Sequence, residues 1–212
     1  MPLLEVIACS LEDALAAEAS GADRLELCSR LDLAGLTPPR EVVASIVKAV
    51  RIPVRVMIRL KDSFLPQQEP EQVAAFTDLA IEGLVCGFLD ASGHLDFAAL
   101  DRVLQPAPSN WKLTLHRCFD HAAGSLEDRF AAVRRHGRAD RILSSSPACH
   151  LVDDRLQFIA GGGLTLENLP QWVRESACRE FHVGRAARTP AAPAAPVDEE
   201  KVRQLRDLLD SL

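Results

Sequence analysis

Val54-Arg55-Val56-Met57-Ile58-Arg59, entered at Pro53, is the clearest strand in the chain, and its place between two helical stretches sets the reading of the rest. Val54, Val56 and Ile58 make one wholly apolar face, while Arg55, Met57 and Arg59 make the other. Upstream, Thr37-Pro38-Pro39 opens a helix to about Val50, since proline is tolerated in a first turn. Before that helix, Arg24 to Cys28 reads as a strand and Ser10 to Ser20 as a helix, with Ser10 as N-cap and Gly21 as the stop. Leu4 to Ala8 is the first apolar run.

Downstream the same rhythm continues. Helices are expected over Glu71 to Ala80, Phe97 to Gln105, Ser125 to His136 and Leu166 to Ser176. Strands are expected over Leu84 to Phe88, Trp111 to His116, Arg141 to Ser144, Leu156 to Ala160 and Glu180 to Val183. Ser145 to Arg155 is too short for a full helix and two turns. Residues 187–197 form an Ala/Pro-rich, extended linker to a C-terminal helix, 198–212, with Val202, Leu205, Leu208 and Leu209 on its apolar face.

Strand–helix alternation repeated about eight times predicts α/β class: a compact TIM-like (β/α)8 barrel with a shortened or missing helix between strands six and seven. The prediction treats residues 1–212 as a single barrel domain; a doubly wound open sheet is the alternative. Ala22-Asp23-Arg24-Leu25 returns as Ala139-Asp140-Arg141-Ile142, four strands later, which is half a barrel.

The chain is 48% apolar and 25% charged, an ordinary globular balance. Its net charge of −6 excludes a nucleic-acid binder that relies on bulk positive charge. No apolar run reaches the roughly 20 residues of a membrane span. The start, Met1-Pro2-Leu3-Leu4-Glu5, has no basic region before an apolar one, so a cytoplasmic protein is expected. The six scattered cysteines, without a Cys-x-x-Cys, read as buried free thiols.

Alternation also predicts which side chains face the barrel interior: Glu5, Cys9, Glu26, Cys28, Arg55, Arg59, His116, Glu180 and His182. So many interior charges must pair, because an unpaired buried ion is costly. Glu5 and Arg55, low on their strands, read as ion pairs that fill the barrel. Glu26 and Arg59, near the tops of adjacent strands, are expected to bond each other. Cys9, Cys28, Arg59, His116, Arg117, Asp120 and His182 lie at strand C-termini, the end of a barrel that carries active sites.

Several segments, in order, resemble the copper homeostasis protein CutC family. They are Glu5-Val6, Gly21-Ala22-Asp23-Arg24-Leu25-Glu26-Leu27-Cys28-Ser29, Gly35-Leu36-Thr37-Pro38, Val56-Met57-Ile58-Arg59, His116-Arg117-Cys118-Phe119-Asp120, Ala160-Gly161-Gly162-Gly163 and Phe181-His182. The resemblance covers roughly residues 4 to 188 and implies a cytoplasmic TIM-like barrel, often oligomeric, with copper handling and Cu(I) bound by family cysteines. The family usually begins Glu-Val-Cys-Val-Asp-Ser. Here that stretch is Glu5-Val6-Ile7-Ala8-Cys9-Ser10, so a cysteine pair survives only as Cys9 with Cys28. The family's sixth helix is missing between Ser146 and Leu156, and the region before Leu84 is shortened.

Three functions stay open. In the first, Cys9 and Cys28 hold Cu(I), which favours soft thiolates. In the second, the barrel is a lyase, isomerase or hydrolase acting on a small anionic metabolite. There Arg59 and Arg117 bind anionic groups, His116 or His182 is general acid/base, and Glu26 or Asp120 orients one of them. In the third, the barrel has no chemistry and serves as a partner-binding or structural body. An anion site is also expected where Gly161-Gly162-Gly163 after the seventh strand meets Gly184 and Arg185 after the eighth. A homo-oligomer is expected, with apolar surface near the missing helix or the C-terminal helix buried between chains. No nucleic-acid or membrane partner is expected.

Overall fold

In the computed structural model, which describes residues 1–146, 149–176 and 178–212, eight parallel strands pair edge to edge and close on themselves. They are β1 (Leu3–Ala8), β2 (Arg24–Leu27), β3 (Val54–Met57), β4 (Gly83–Cys86), β5 (Lys112–Leu115), β6 (Arg141–Ser144), β7 (Gln157–Ala160) and β8 (Glu180–Val183). The pairing of β8 with β1, which sets Glu5 against His182, excludes the open sheet.

Helices α1 (Leu11–Ala19), α2 (Arg40–Ala49), α3 (Glu69–Ala74), α4 (Phe97–Leu104), α5 (Cys118–His121), α6 (Leu126–His136), α7 (Leu169–Ser176) and α8 (Glu199–Ser211) accompany them. The caps follow the sequence. Ser10, Asp96, Ser125 and Asp198 each accept a backbone N–H from the first turn of the helix they precede. Helix α7 starts three residues later than expected. Thr165 N–H donates to Asn168 Oδ1 (2.8 Å) and Asn168 N–H to Thr165 Oγ1 (3.2 Å), which holds 166–168 as a turn. The one-turn α5 was not expected from the sequence.

Between β6 and β7 only a 3-10 turn, Cys149–Leu151, replaces a helix, with residues 147–148 outside the described set. The backs of these strands are nevertheless covered. Phe158 is buried with its ring 5.8 Å from Phe119 and 5.6 Å from Phe130, and Leu151 and Val152 pack against the same core. Apolar faces of the strands meet the helices, and the interior takes the charges, as alternation required.

Those charges pair in one network, whose two halves are joined by Arg141 Nη1 to Asp140 Oδ2 at 3.3 Å. Arg24 bonds Glu5 and, at 2.8 Å, Glu180, which also accepts from Arg141 Nε at 2.6 Å. Arg55 donates to Glu82 (2.8 Å), Thr114 Oγ1 (2.7 Å) and both oxygens of Asp140 (3.0 and 2.8 Å). The sequence echo has a counterpart here. Asp23 accepts Leu4 N–H (2.7 Å) and Asp140 accepts Leu113 N–H (3.0 Å), while both following arginines reach Glu180.

The segment after β8 folds back on the barrel. Buried Arg188 donates to Ile7 O (3.0 Å), Asp13 Oδ2 (2.9 Å) and Ala195 O, and Asp13 Oδ1 accepts Val197 N–H (2.8 Å). Among the described residues Cys9, Cys28, Cys86 and Cys118 are free thiols, whereas Cys178 is disulfide-bonded and departs from the expectation. No helix of the described residues is long and apolar enough to cross a membrane.

Candidate functional site

The strand C-termini surround a cavity of about 910 Å³ at the barrel mouth. Ile7, Met57 and Leu143 supply apolar wall, Glu26, His116 and His182 face it from the strands, and Arg117, Gly162, Gly163 and Arg185 stand on its rim. The structure therefore brings together most of the residues expected to carry chemistry.

Glu26 is the anomaly of the site. Its carboxylate is 2% exposed, and Oε2 has no hydrogen-bond partner. The expected Glu26–Arg59 pair does not form. The β2–β3 register sets Glu26 against Arg55, and β3 ends at Met57, so Arg59 lies beyond the ladder. Its guanidinium instead clamps the loop after β2, donating to Leu33 O (2.7 Å), Gly35 O (3.1 Å) and Asp62 (2.5 Å). Arg59 is thus a scaffold residue whose donors are largely committed.

His182 does have an orienting carboxylate, but it is Glu5. His182 Nδ1 donates to Glu5 Oε1 at 2.7 Å, and Glu26 Oε2 is 4.0 Å from the same nitrogen. Burial opposes charge on Glu5, yet Arg24 and His182 beside it hold its pKa below the ordinary value. Burial likewise opposes the imidazolium of His182, but Glu26 and Glu5 outweigh it and raise the pKa. Glu26 has no such compensation: burial, reinforced by the Glu5 charge, outweighs the attraction of His182 and pushes it up to about 7. One atom each from Glu5, Glu26 and His182 falls within 4.8 Å of the others, close enough for a cation, although Glu5 already serves Arg24 and His182. Sequence reasoning read Glu5 as filler. The signal that finds it is barrel closure, which makes β1 and β8 neighbours.

His116 is held differently. Its Nδ1 accepts Cys118 N–H (3.2 Å), which leaves Nε2 to carry the proton. Burial, then the Arg59 charge, lowers its pKa to about 3, so it is a neutral donor rather than an acid. Asp120 orients neither histidine. It accepts Ser144 Oγ (2.6 Å) and Ser145 N–H (2.9 Å), and so pins α5 to the end of β6.

Of the expected anion-binding glycines, Gly161 is excluded: its N–H donates to Ser144 O (2.9 Å), and a Cβ there would lie 2.6 Å from Leu143. Gly162 and Gly163 adopt φ of +89° and +112°, open only to glycine at low cost. Their N–H groups bond no described residue. Gly184 lines the mouth, and a Cβ there would approach Ile7 to 2.9 Å. Arg185 is exposed, while Arg188 is buried in the contact with Asp13.

The two candidate metal thiols do meet. Cys9 Sγ and Cys28 Sγ are 3.9 Å apart. Cys28 is buried with Ile7, Met57 and Val85, and half-exposed Cys9 packs against that cluster, as does Leu31. The bond to Cys28 and the nearby Arg188 lower the Cys9 pKa, and the same bond, with burial, raises that of Cys28.

The family model described as the CutC family matches residues 2–187. A human copper homeostasis protein cutC homolog is 35% identical over 200 residues, covering 85% of this chain and 72% of that protein. A CutC family protein of Xanthomonas axonopodis pv. citri is 33% identical over 219 residues, covering 95% and 90%. The solved CutC structure from Streptococcus agalactiae superposes with a TM-score of 0.78 at 25% identity, covering 87% of this chain and 98% of that one.

Proposed function

The chain belongs to the CutC family, and from that premise we propose that it handles copper, taking Cu(I) as cargo between the thiols of Cys9 and Cys28. The observation that carries this is the 3.9 Å approach of two free thiols at the tops of β1 and β2. Cu(I) favours soft thiolate ligands, and the donor pair here consists of nothing else. Two thiolates on a monovalent ion leave one net negative charge. Arg188 Nη2 lies 3.8 Å from Cys9 Sγ and attracts that charge, although its own ion pair is with Asp13 at 2.9 Å. Ile7, Met57 and Val85 keep water from the inner thiol, and half-exposed Cys9 gives the ion its entry. The family's usual cysteine position is Ile7 in this chain, on the same interior cluster as Cys28, so the pair that remains is the offset one. A cytoplasmic setting is part of the proposal, because the thiols of Cys9 and Cys28 must stay reduced; the disulfide at Cys178 then has to persist in that reducing medium.

Anaerobic titration with Cu(I) against a chromogenic chelator tests this. One ion per chain is expected, lost in Cys9→Ser and in Cys28→Ser with the circular dichroism unchanged. Retention of binding in both variants rejects the thiol site.

A second reading is favoured by Glu26, a buried carboxylate oxygen without a partner that faces the mouth beside His182. In this reading the barrel is a lyase, isomerase or hydrolase of a small anionic metabolite. Glu26 and His182 would exchange protons with it, Glu5 would hold His182, and His116 Nε2 would donate to a developing negative charge.

A further inference from the structure

Charged groups at the mouth are unevenly satisfied. Arg59 is committed to carbonyls and Asp62, and Arg188 to Asp13. On the β7–β8 side the pattern changes. Arg185 and Lys201 line the cavity and form no ion pair with a described residue. Arg117 engages Asp120 through Nε alone, at 3.3 Å, and both of its Nη groups remain available. Its guanidinium lies against Gly162: a Cβ on that glycine would be 3.4 Å from Arg117 Cζ. The free N–H groups of Gly162 and Gly163 stand in the same wall. The acid on this rim is Glu167, exposed, with the Lys201 charge acting on it.

Deeper in the same cavity is Glu26 Oε2, buried and without a donor. Glu26 Oε2 is the one carboxylate oxygen among the buried side-chain atoms without a partner in the described residues, and a buried acceptor left open on the wall of a cavity points to a donor that arrives with a ligand. The cavity between rim and floor is walled by Ile7, Met57 and Leu143, and its volume suits a molecule the size of a pentose phosphate.

We propose that the mouth seats a small, hydroxyl-bearing phosphate ester, with its phosphate on the Gly162 and Gly163 N–H groups and Arg117, and a hydroxyl donating to Glu26. Phosphate fits better than a carboxylate because it offers three strong acceptor oxygens to donors that come from two loops. Arg185 and Lys201 add long-range attraction at the rim. This goes beyond copper handling and gives a substrate class to the acid–base reading of the same mouth. It concerns binding alone, so it survives if no turnover is ever found.

The test is amide NMR of the full chain with three probes: inorganic phosphate, ribose and ribose 5-phosphate. Inorganic phosphate at millimolar concentration should shift Gly162 and Gly163. Ribose 5-phosphate should bind about tenfold tighter than either fragment, the gain expected for one hydrogen bond to a charged group. Arg117→Ala should weaken both phosphates about tenfold. Glu26→Ala should remove the advantage of ribose 5-phosphate and leave inorganic phosphate unchanged; Glu26→Met, which has similar bulk and no oxygen acceptor, serves the same purpose if the alanine variant is misfolded. Cys28→Ser should alter none of these. The proposal is overturned if the glycine amides do not respond, if Arg117→Ala binds as before, or if ribose 5-phosphate is no tighter than inorganic phosphate.

Discussion

His116 shows how a single buried side chain writes itself into stability. Its native pKa is lowered to about 3 by burial and by Arg59, against an ordinary 6.5. Above pH 6.5 both folded and unfolded chains hold it neutral, and its contribution to stability is complete. As pH falls below 6.5 the unfolded chain takes up a proton that the native chain refuses, so stability is lost progressively down to about pH 3. His182, with its raised pKa, acts in the opposite sense: its contribution is present at low pH and lost as pH rises through the native value. The variant difference isolates His116. Urea midpoints at pH 7 and pH 4 should lie closer together in His116→Gln, by about 3 kcal/mol in free energy. An equal spread in both proteins would mean that the imidazole is protonated in the native state. At this scale the sequence told which side chains face inward but not which partner each takes. Alternation located Glu26 and His182, yet Glu5 was read as filler, since its role depends on a contact 177 residues away. Arg59 was matched to the wrong acid because β3 stops two residues before it.

Elements were legible where a local device starts or stops them. Ser10, read as an N-cap, accepts Asp13 N–H, and Ser125 and Asp198, where two further helices are expected to begin, cap those helices in the same way. Elements held by tertiary packing were less well read. Helix α3 ends at Ala74 although its apolar pattern continues, and the strands are mostly four residues long because only the paired stretch counts. Helix α8 offers a direct test. Asp198 accepts N–H groups from Glu200 (2.9 Å) and Lys201 (3.4 Å), and the helix buries Val202, Leu205 and Leu209. Asp198→Ala should cost about 1 kcal/mol and lower the melting temperature by roughly 2–4 °C in a chain of this length. Calorimetry measures it, and an unchanged midpoint would show that packing alone holds the helix.

For the whole molecule, eight strand–helix alternations gave the α/β class and favoured a closed barrel, the open sheet being excluded only by the pairing of β8 with β1, and even the missing helix was visible as a shortage of residues. How the gap is covered was not visible, because Phe119, Phe130 and Phe158 meet only after folding. That cover bears on the proposed homo-oligomer, whose interface then has to form away from the β6–β7 wall. Hydrogen exchange at rising protein concentration should show added protection outside residues 130–158, and protection inside that range would place the interface on the wall after all. Closure itself reaches into biosynthesis. The seam between first and last strands joins Glu5 and Arg24, made with the first two strands, to Glu180 and His182, made only with the eighth. A nascent chain emerging from the ribosome carries the early half of this charge network without its late half. A ribosome that stalls short of residue 180 releases a product in which Arg24 and Arg141 lack Glu180 and Glu5 lacks His182, an open barrel with part of its interior charge unpaired before any mouth exists to bind a ligand.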